Sequence, residues 1–178
     1  TKGQADTGAE LADHLKQLIM LHDASNIAAV IVEPMSGSAG VIIPPKGYLQ
    51  RLRDLCDEND ILLIFDEVQS GNGRCGELYV FQRLGITPDI LATAKGLGNG
   101  LPIGACMTRD RARELLIAGD HGTTYGGNPI CCAAGSAAAS GNRVTPGMRV
   151  RAGTNVSGRP LLAATSCSIS SAVCWERA

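Results

Sequence analysis

Aromatic side chains are scarce in this sequence, with one Trp, three Tyr and two Phe among 178 residues, so any core must be mainly aliphatic. Basic charge is not in excess either, since the formal net charge is −1, which gives no indication of nucleic acid or an acidic membrane surface as a partner. No apolar run is long enough to span a membrane, and the first residues lack the pattern of a secretory signal. These absences favour a globular protein with a cytoplasmic location.

The seven cysteines also lack the spacing of a metal site. No CxxC pair occurs, and none of the three histidines lies at a spacing typical of zinc ligands. We therefore expect reduced thiols rather than a disulfide framework, and no metal site.

Apolar residues recur at helical spacing in several segments. In residues 47–59 the apolar face comprises Leu49, Leu52, Leu55 and Cys56. An Ala-rich segment follows Pro129, where a proline suits the first turn of a helix. Helices are thus predicted over residues 9–22, 47–59, 77–84, 109–116 and after residue 129.

Short continuous apolar runs lie between these helical patterns. The runs at 27–32 and 61–65 predict strands that are buried on both faces, and shorter strands are predicted at 89–94 and 103–107. Alternation of such strands with helices predicts an α/β fold with a mostly parallel sheet and helices on both faces.

Charged residues follow three of the predicted strands. Glu33 follows the first, Asp66 follows the second, and Lys95 lies in the turn after the third. Ligands in open α/β sheets bind outside the carboxyl ends of the strands. We therefore expect a ligand site at this edge of the sheet.

Lys95 is one of only four lysines and lies among small, apolar and turn-forming residues in LATAKGLGNGLPIGA. Partial desolvation there favours the neutral amine, a nucleophile that can form a Schiff base with a carbonyl. A lysine that extends from a glycine-rich loop into water is the alternative. Asp66 could keep the ring nitrogen of pyridoxal phosphate protonated, although strand-end capping or a surface salt bridge explains it equally well.

Three motifs occur in one order, LLIFDEVQSGNGRCGELY, TPDILATAKGLGNGLPIGA and HGTTYGGNP. The last offers hydroxyl and N–H groups suited to a phosphate. In these motifs the chain resembles the class III family of pyridoxal-phosphate-dependent aminotransferases, over roughly residues 9–140. The resemblance implies part of the large cofactor-binding domain of a fold-type I enzyme over residues 1–140, with pyridoxal 5′-phosphate as cofactor.

The resemblance also assigns roles to individual residues. Lys95 matches the lysine that binds the cofactor as a Schiff base and then moves the α-proton, and Asp66 matches the partner of the ring nitrogen. Val68 matches the apolar residue under the ring, and Gln69 matches the amide that bonds the ring's phenolic oxygen.

Two further positions are assigned through the family. Thr124 matches a threonine that binds the cofactor phosphate of the neighbouring subunit, because full-length members are homodimers. Glu67 has no direct cofactor chemistry in the family, and we expect it to be structural.

The resemblance differs between two parts of the chain. Residues 9–65 are most similar to ω-amino acid:pyruvate aminotransferases, and residues 66–135 to acetylornithine and succinylornithine aminotransferases. Ornithine-type members usually carry an acidic residue where this chain has Ser38, which argues against an acylornithine substrate. A natural intermediate and a recombined sequence both explain the difference.

Residues 141–178 depart from the family pattern. They contain five Arg and one Glu, with neither helical nor strand periodicity, and we expect an irregular tail. A slip of the reading frame near residue 140 is one explanation. Full members are more than twice this length, so their N-terminal phosphate loop and C-terminal small domain are expected to be missing.

The implied reaction transfers an amino group from an ω- or δ-amino compound, such as an ω-amino acid or an acylornithine, to an α-keto acid. An aminomutase relative would use Lys95 and Asp66 in the same way. A truncated fragment without activity of its own is the non-enzymatic alternative.

Overall fold

A computed structural model describes residues 3–115 and 124–140, and the short segments 149–150, 152–154 and 160–162. In these residues the α-helices are α1 (His14–His22), α2 (Tyr48–Glu58), α3 (Val80–Leu84) and α4 (Pro129–Ser140). Short 3-10 helices span Ala9–Asp13, Ala24–Asn26, Lys95–Gly98 and Asp110–Glu114. None of the described helices is long and apolar enough to cross a membrane.

The helix predictions are confirmed except in type. Residues 9–22 form a 3-10 turn followed by α1, and the predicted apolar face of α2 is buried. The helix predicted over 109–116 is present as the 3-10 helix Asp110–Glu114 rather than as an α-helix, and Asp110 at its start has a φ of 47°. Short segments of this kind often adopt the tighter 3-10 geometry.

The strands are β1 (Ala29–Val32), β2 (Leu62–Asp66), β3 (Ile90–Thr93), β4 (Ala105–Thr108), β5 (Arg149–Val150), β6 (Ala152–Thr154) and β7 (Pro160–Leu162). The main sheet has the order β1-β2-β3-β4-β5. The first three strands are parallel, and β4 pairs antiparallel with both β3 and β5. Four of these five described strands therefore run in one direction, so the predicted mostly parallel sheet is confirmed.

Short strands also occur in the segment predicted to be irregular. β5 extends the main sheet, and β6 pairs antiparallel with β7. Most of residues 141–178 lie outside the described residues, and the division of the chain at residue 140 stays a prediction.

One face of the sheet carries the main core. Val30, Leu63, Phe65, Leu91 and Met107 alternate along their strands and pack with apolar side chains of α1 and α2. This cluster confirms the aliphatic core, since the aromatic side chains in it are only Phe65, Phe81, Tyr48 and Tyr79.

β2 and β1 differ in burial, although both were predicted to be buried on both faces. Leu63 and Phe65 are fully buried in β2, and the prediction holds for most of that strand. In β1 the prediction is wrong, because Ile31 is 60% exposed. β1 is an edge strand, and the core covers only the face that carries Val30 and Val32.

A buried ion pair joins α2 to the start of β3. Arg53 Nη1 donates to Asp89 Oδ2 at 2.7 Å, and the backbone N–H of Leu63 donates to the same oxygen at 2.8 Å. Burial opposes the charge on Arg53, but Asp89 and Asp57 together raise its pKa above the ordinary value. One carboxylate thus holds the helix and two neighbouring strands together.

Glu67 joins the end of β2 to the start of α3. Its carboxylate is fully buried and accepts hydrogen bonds from the backbone N–H groups of Val80 and Phe81 at 2.8 and 2.9 Å and from Ser70 Oγ at 2.9 Å. Burial raises the pKa of Glu67 above its ordinary value, although these three donors act in the opposite direction. Its contacts are those of a structural residue.

The substitution Asp89→Asn is expected to lower the free energy of unfolding by about 3 kcal/mol, because it removes the buried charge that Arg53 Nη1 faces and leaves Arg53 only its exposed partner Asp57. The control is Asp13→Asn, which removes exposed pairs with Arg51 and Lys16 and should cost much less, because solvent screens exposed ion pairs. Urea unfolding followed by circular dichroism measures both. Equal losses in the two variants would contradict the role given to Asp89.

The substitution Glu67→Gln is expected to change how stability depends on pH. Because the pKa of folded Glu67 lies above 4.5, the folded chain keeps a proton that the unfolded chain has already released. The stability associated with that proton is present below pH 4.5 and is lost as the pH rises through the folded pKa. The free energy of unfolding of the wild type minus that of the variant should therefore fall from acid to neutral pH.

Urea unfolding at several pH values tests this expectation. Glu77→Gln, on the same loop but exposed, is the matched control and should show no such trend. A difference between wild type and Glu67→Gln that rises with pH would show that the three hydrogen bonds outweigh burial.

Candidate active site

Three parallel strands end at one edge of the sheet, and the charged residues predicted from the sequence lie there. Asp66 is the last residue of β2 and lies opposite Ala92 of β3 in the strand register. Lys95 follows Ala92 by three residues, and Glu33 follows the last residue of β1. The predicted grouping of these strand ends is therefore observed.

Asp66 presents a half-buried carboxylate at this edge. Its Oδ1 accepts a hydrogen bond from the backbone N–H of Val68 at 3.0 Å, which folds the loop back over the strand end. This bond is the strand-end capping that was one alternative for Asp66, whereas the other alternative, a salt bridge, is not observed among the residues that the structure describes. Among those residues Oδ2 accepts no side-chain hydrogen bond and is available to another donor.

Lys95 begins the 3-10 turn that follows β3. Its φ is 47°, in the left-handed region, and the turn closes through a hydrogen bond of 3.0 Å from the Leu97 N–H to the Ala94 carbonyl. The predicted desolvation of Lys95 is wrong for this structure, because the residue is exposed. Its small neighbours make a tight turn beyond the end of the sheet and do not enclose the long side chain.

Gln69 connects the loop after β2 to the loop after β1. Its Nε2 donates to Ser38 Oγ at 2.8 Å, and its Oε1 lies so close to Gly37 that an added Cβ there would be 1.7 Å away. The N–H of Gly37 donates to Glu33 Oε2 at 3.1 Å, which holds the first loop. Glu33 therefore positions a loop beside Gln69.

Asn72 is a residue that the sequence reasoning missed. Its Nδ2 donates to Thr93 Oγ1 at 2.9 Å and to the Ala94 carbonyl at 3.0 Å, so it bonds the backbone next to Lys95. Thr93 is buried beside Tyr79, whose pKa is raised by burial more than the Thr93 side chain lowers it. An Asn between two glycines, as in SGNGR, is a sequence signal for a left-handed turn residue, and its φ is 57°.

A small second core supports the Lys95 turn from another side. It comprises Leu97, Ile103, Ala105, Cys131 and Cys132, so α4 packs against the turn. Ile103 fits closely between two glycines, since a Cβ on Gly98 or Gly135 would lie 2.6 or 2.5 Å from its side chain.

Cys106 lies on β4 opposite Ala92 and is the cysteine nearest in register to the site. Burial raises the pKa of its thiol to about 11. The thiol is therefore protonated at neutral pH and does not compete with Lys95 as a nucleophile. The five cysteines that the structure describes are free thiols.

The site residues named from the sequence are brought together only in part. Asp66 ends β2, Val68 and Gln69 lie in the loop that follows it, and Lys95 lies just beyond the adjacent strand end. Thr124 is exposed and lies five residues before α4 begins. The three residues before it, 121–123, lie outside the described residues. Because the resemblance assigns Thr124 to the cofactor of a neighbouring subunit, its role stays a prediction.

Known proteins similar to this chain carry related names. An omega-aminotransferase from Caulobacter vibrioides is 53% identical over 144 residues, which are 76% of this chain and 33% of the relative. An acetylornithine aminotransferase from Methanopyrus kandleri is 57% identical over 113 residues, which are 64% of this chain and 29% of the relative. The chain thus spans about a third of the length of these curated relatives.

A solved structure gives the same result for the fold. The (S)-enantioselective omega-transaminase from Thermomicrobium roseum matches with a TM-score of 0.66 and 35% identity, covering 74% of this chain and 31% of that one. The profile of the class III aminotransferases matches residues 1–140. The motif order, the fold, the curated relatives and the family profile agree. The chain belongs to the class III aminotransferase family.

Proposed function

We propose that this chain carries the central part of a pyridoxal-phosphate site, in which Lys95 binds the cofactor covalently. The observation that carries the proposal is the parallel pairing of β2 with β3, which sets Asp66 and the turn that carries Lys95 at adjacent strand ends. The whole protein would transfer an amino group from an ω- or δ-amino compound to an α-keto acid.

The groups at this edge have the chemistry that the cofactor requires. A carboxylate with an oxygen left over suits a protonated ring nitrogen, and the Gln69 amide can donate to a ring oxygen. Lys95 makes no described ion pair, which leaves its amine available to an aldehyde carbon. The residues of this chain therefore fit pyridoxal phosphate.

Each residue then has a definite task. When bound, pyridoxal phosphate supplies an electron sink for the electrons of a broken substrate bond. Asp66 would keep the proton on the ring nitrogen, and Val68 would supply an apolar contact to the ring. Lys95 Nζ would hold the cofactor covalently, and the same amine would move a proton of the substrate once a substrate amine had taken its place.

The substrate class and assembly follow from the relatives and are part of the proposal. Relatives named for ω-amino acids and for acetylornithine both match, which supports an amino donor with its amine far from a carboxylate. Ser38 in place of an acidic residue favours the ω-amino acid. A homodimer in the cytoplasm, with Thr124 supplied to the neighbouring subunit, completes the proposed whole protein.

The rival reading is a fragment that does not act by itself. Two observations favour it: the chain spans about a third of its relatives, and Lys95 is exposed rather than enclosed. An aminomutase remains a second enzymatic reading, since it would use the same lysine and aspartate. Amino transfer to pyruvate separates the transaminase from both alternatives.

Incubation with pyridoxal phosphate followed by borohydride reduction is expected to leave one reduced cofactor on Lys95. Peptide mass spectrometry locates the adduct, because reduction makes the carbon–nitrogen bond permanent. Lys95→Arg should abolish it, since a guanidinium keeps the charge but forms no such bond with the aldehyde. Lys16→Arg, an exposed lysine on α1, is the matched control and should label as the wild type does.

Labelling spread equally over Lys16, Lys46 and Lys95 would overturn the proposed site, because it would show only the general reactivity of exposed amines. Addition of β-alanine and pyruvate to the loaded chain then tests the transfer. Formation of alanine supports the transaminase, whereas labelling without any transfer supports a chain that binds the cofactor but is inactive alone.

A further inference from the structure

We propose that Asn72 is a positioning residue for Lys95. The inference rests on the proposed function, since it gives Asn72 a task at the same site. Its side chain bridges the loop that carries Asp66 and the turn that carries Lys95, through two hydrogen bonds from one amide nitrogen. The sequence motifs gave this residue no task.

The bond to Ala94 acts directly on the backbone of Lys95. The Ala94 carbonyl and the Lys95 N–H belong to one planar peptide group. A hydrogen bond donated to the Ala94 oxygen therefore restricts the orientation of the peptide plane between Ala94 and Lys95. The same oxygen accepts the Leu97 N–H at 3.0 Å, and the two donors together hold the peptide from both sides.

Lys95 requires such support because of its conformation. Its φ of 47° is in the left-handed region, which L-residues other than Gly, Asn and Asp rarely adopt. A lysine in this conformation persists only where its surroundings determine the backbone. Asn72 supports the Lys95 turn from the loop after β2, and the small second core supports it from the side of α4.

Asn72 also occupies the space next to the turn. A Cβ on Gly96 would lie 3.1 Å from Asn72 Cβ, so the side chain packs against the residue that follows Lys95. Asn72 itself has a φ of 57°, which asparagine tolerates well, and this conformation is the one that sends its amide to the end of β3. Its two bonds therefore need an asparagine at this backbone conformation.

The experiment compares Asn72→Gly with Asn99→Gly. Both asparagines have positive φ, of 57° and 47°, so glycine relieves the backbone equally at both positions. Only Asn72 loses side-chain hydrogen bonds to the Lys95 turn, whereas Asn99 is exposed at the far end of the turn. Urea midpoints are measured first, so that a loss of global stability is recognised.

In the chain without cofactor, amide hydrogen exchange of the peptide containing residues 94–101 should be about tenfold faster in Asn72→Gly, as expected when the loss of two part-buried hydrogen bonds costs the turn about 1.4 kcal/mol. Exchange in β1 and β2 should be unchanged, and Asn99→Gly should leave the turn's protection close to that of the wild type. Unchanged exchange in Asn72→Gly would overturn the inference.

With pyridoxal phosphate present, the ratio of labelling at Lys95 to labelling at Lys16 and Lys46 should fall about tenfold in Asn72→Gly. The urea midpoint should stay that of the wild type. The absorbance maximum of bound cofactor should also shift toward that of the free aldehyde. Asn72→Asp keeps the size but replaces the donor with an acceptor, and it should behave like the glycine variant. Wild-type preference in both variants would overturn the inference.

Failure of the proposed function gives a different result. If the wild-type chain itself labels all lysines equally, the cofactor site is overturned and Asn72 has no cofactor to serve. The exchange measurement still decides separately whether Asn72 holds the turn, because it needs no cofactor.

Discussion

The parallel register between β2 and β3 is the constraint on which the site depends. It sets Asp66 opposite Ala92, and the three residues after Ala92 carry the chain to Lys95. Parallel strands end at the same edge, so two charged residues of opposite sign that lie 29 positions apart become neighbours at adjacent strand ends. A register shift of one residue would turn Asp66 to the other face of the sheet and separate it from its loop.

Two buried carboxylates, Asp89 and Glu67, stabilise that register. Asp89 receives both Arg53 of α2 and the Leu63 N–H, while Glu67 holds the start of α3 to the end of β2. These two carboxylates lie in the interior, where an unpaired charge would be costly, and each is satisfied by donors from elements that must meet for the sheet to form. The chain thus separates its acidic residues by task, with Glu67 and Asp89 inside and Asp66 at the open edge.

Sequence patterns predicted the elements well and the contacts between loops poorly. The helical spacing of α2 and the apolar run of β2 were sufficient to predict both elements and their buried residues. Local periodicity decides which side chains face the core, and the rest of the chain supplies that core. The exposure of Ile31 and of Lys95 could not be predicted, since it depends on what covers the end of a sheet. The partners of Asn72 and Gln69 depend on backbone angles and on register, which residue types alone do not specify.

The close approach of Gln69 to Gly37 links two positions that are far apart in the sequence. A side chain at 37 would overlap the Gln69 oxygen, so the Gln69 amide would have to leave its place beside Ser38 to make room. Gly40, three residues later, has free space where a Cβ would lie, but its φ of 112° is one that residues with a side chain rarely adopt. The first glycine therefore keeps the Gln69 amide where it meets the loop after β1, whereas the second is required by its own backbone angle.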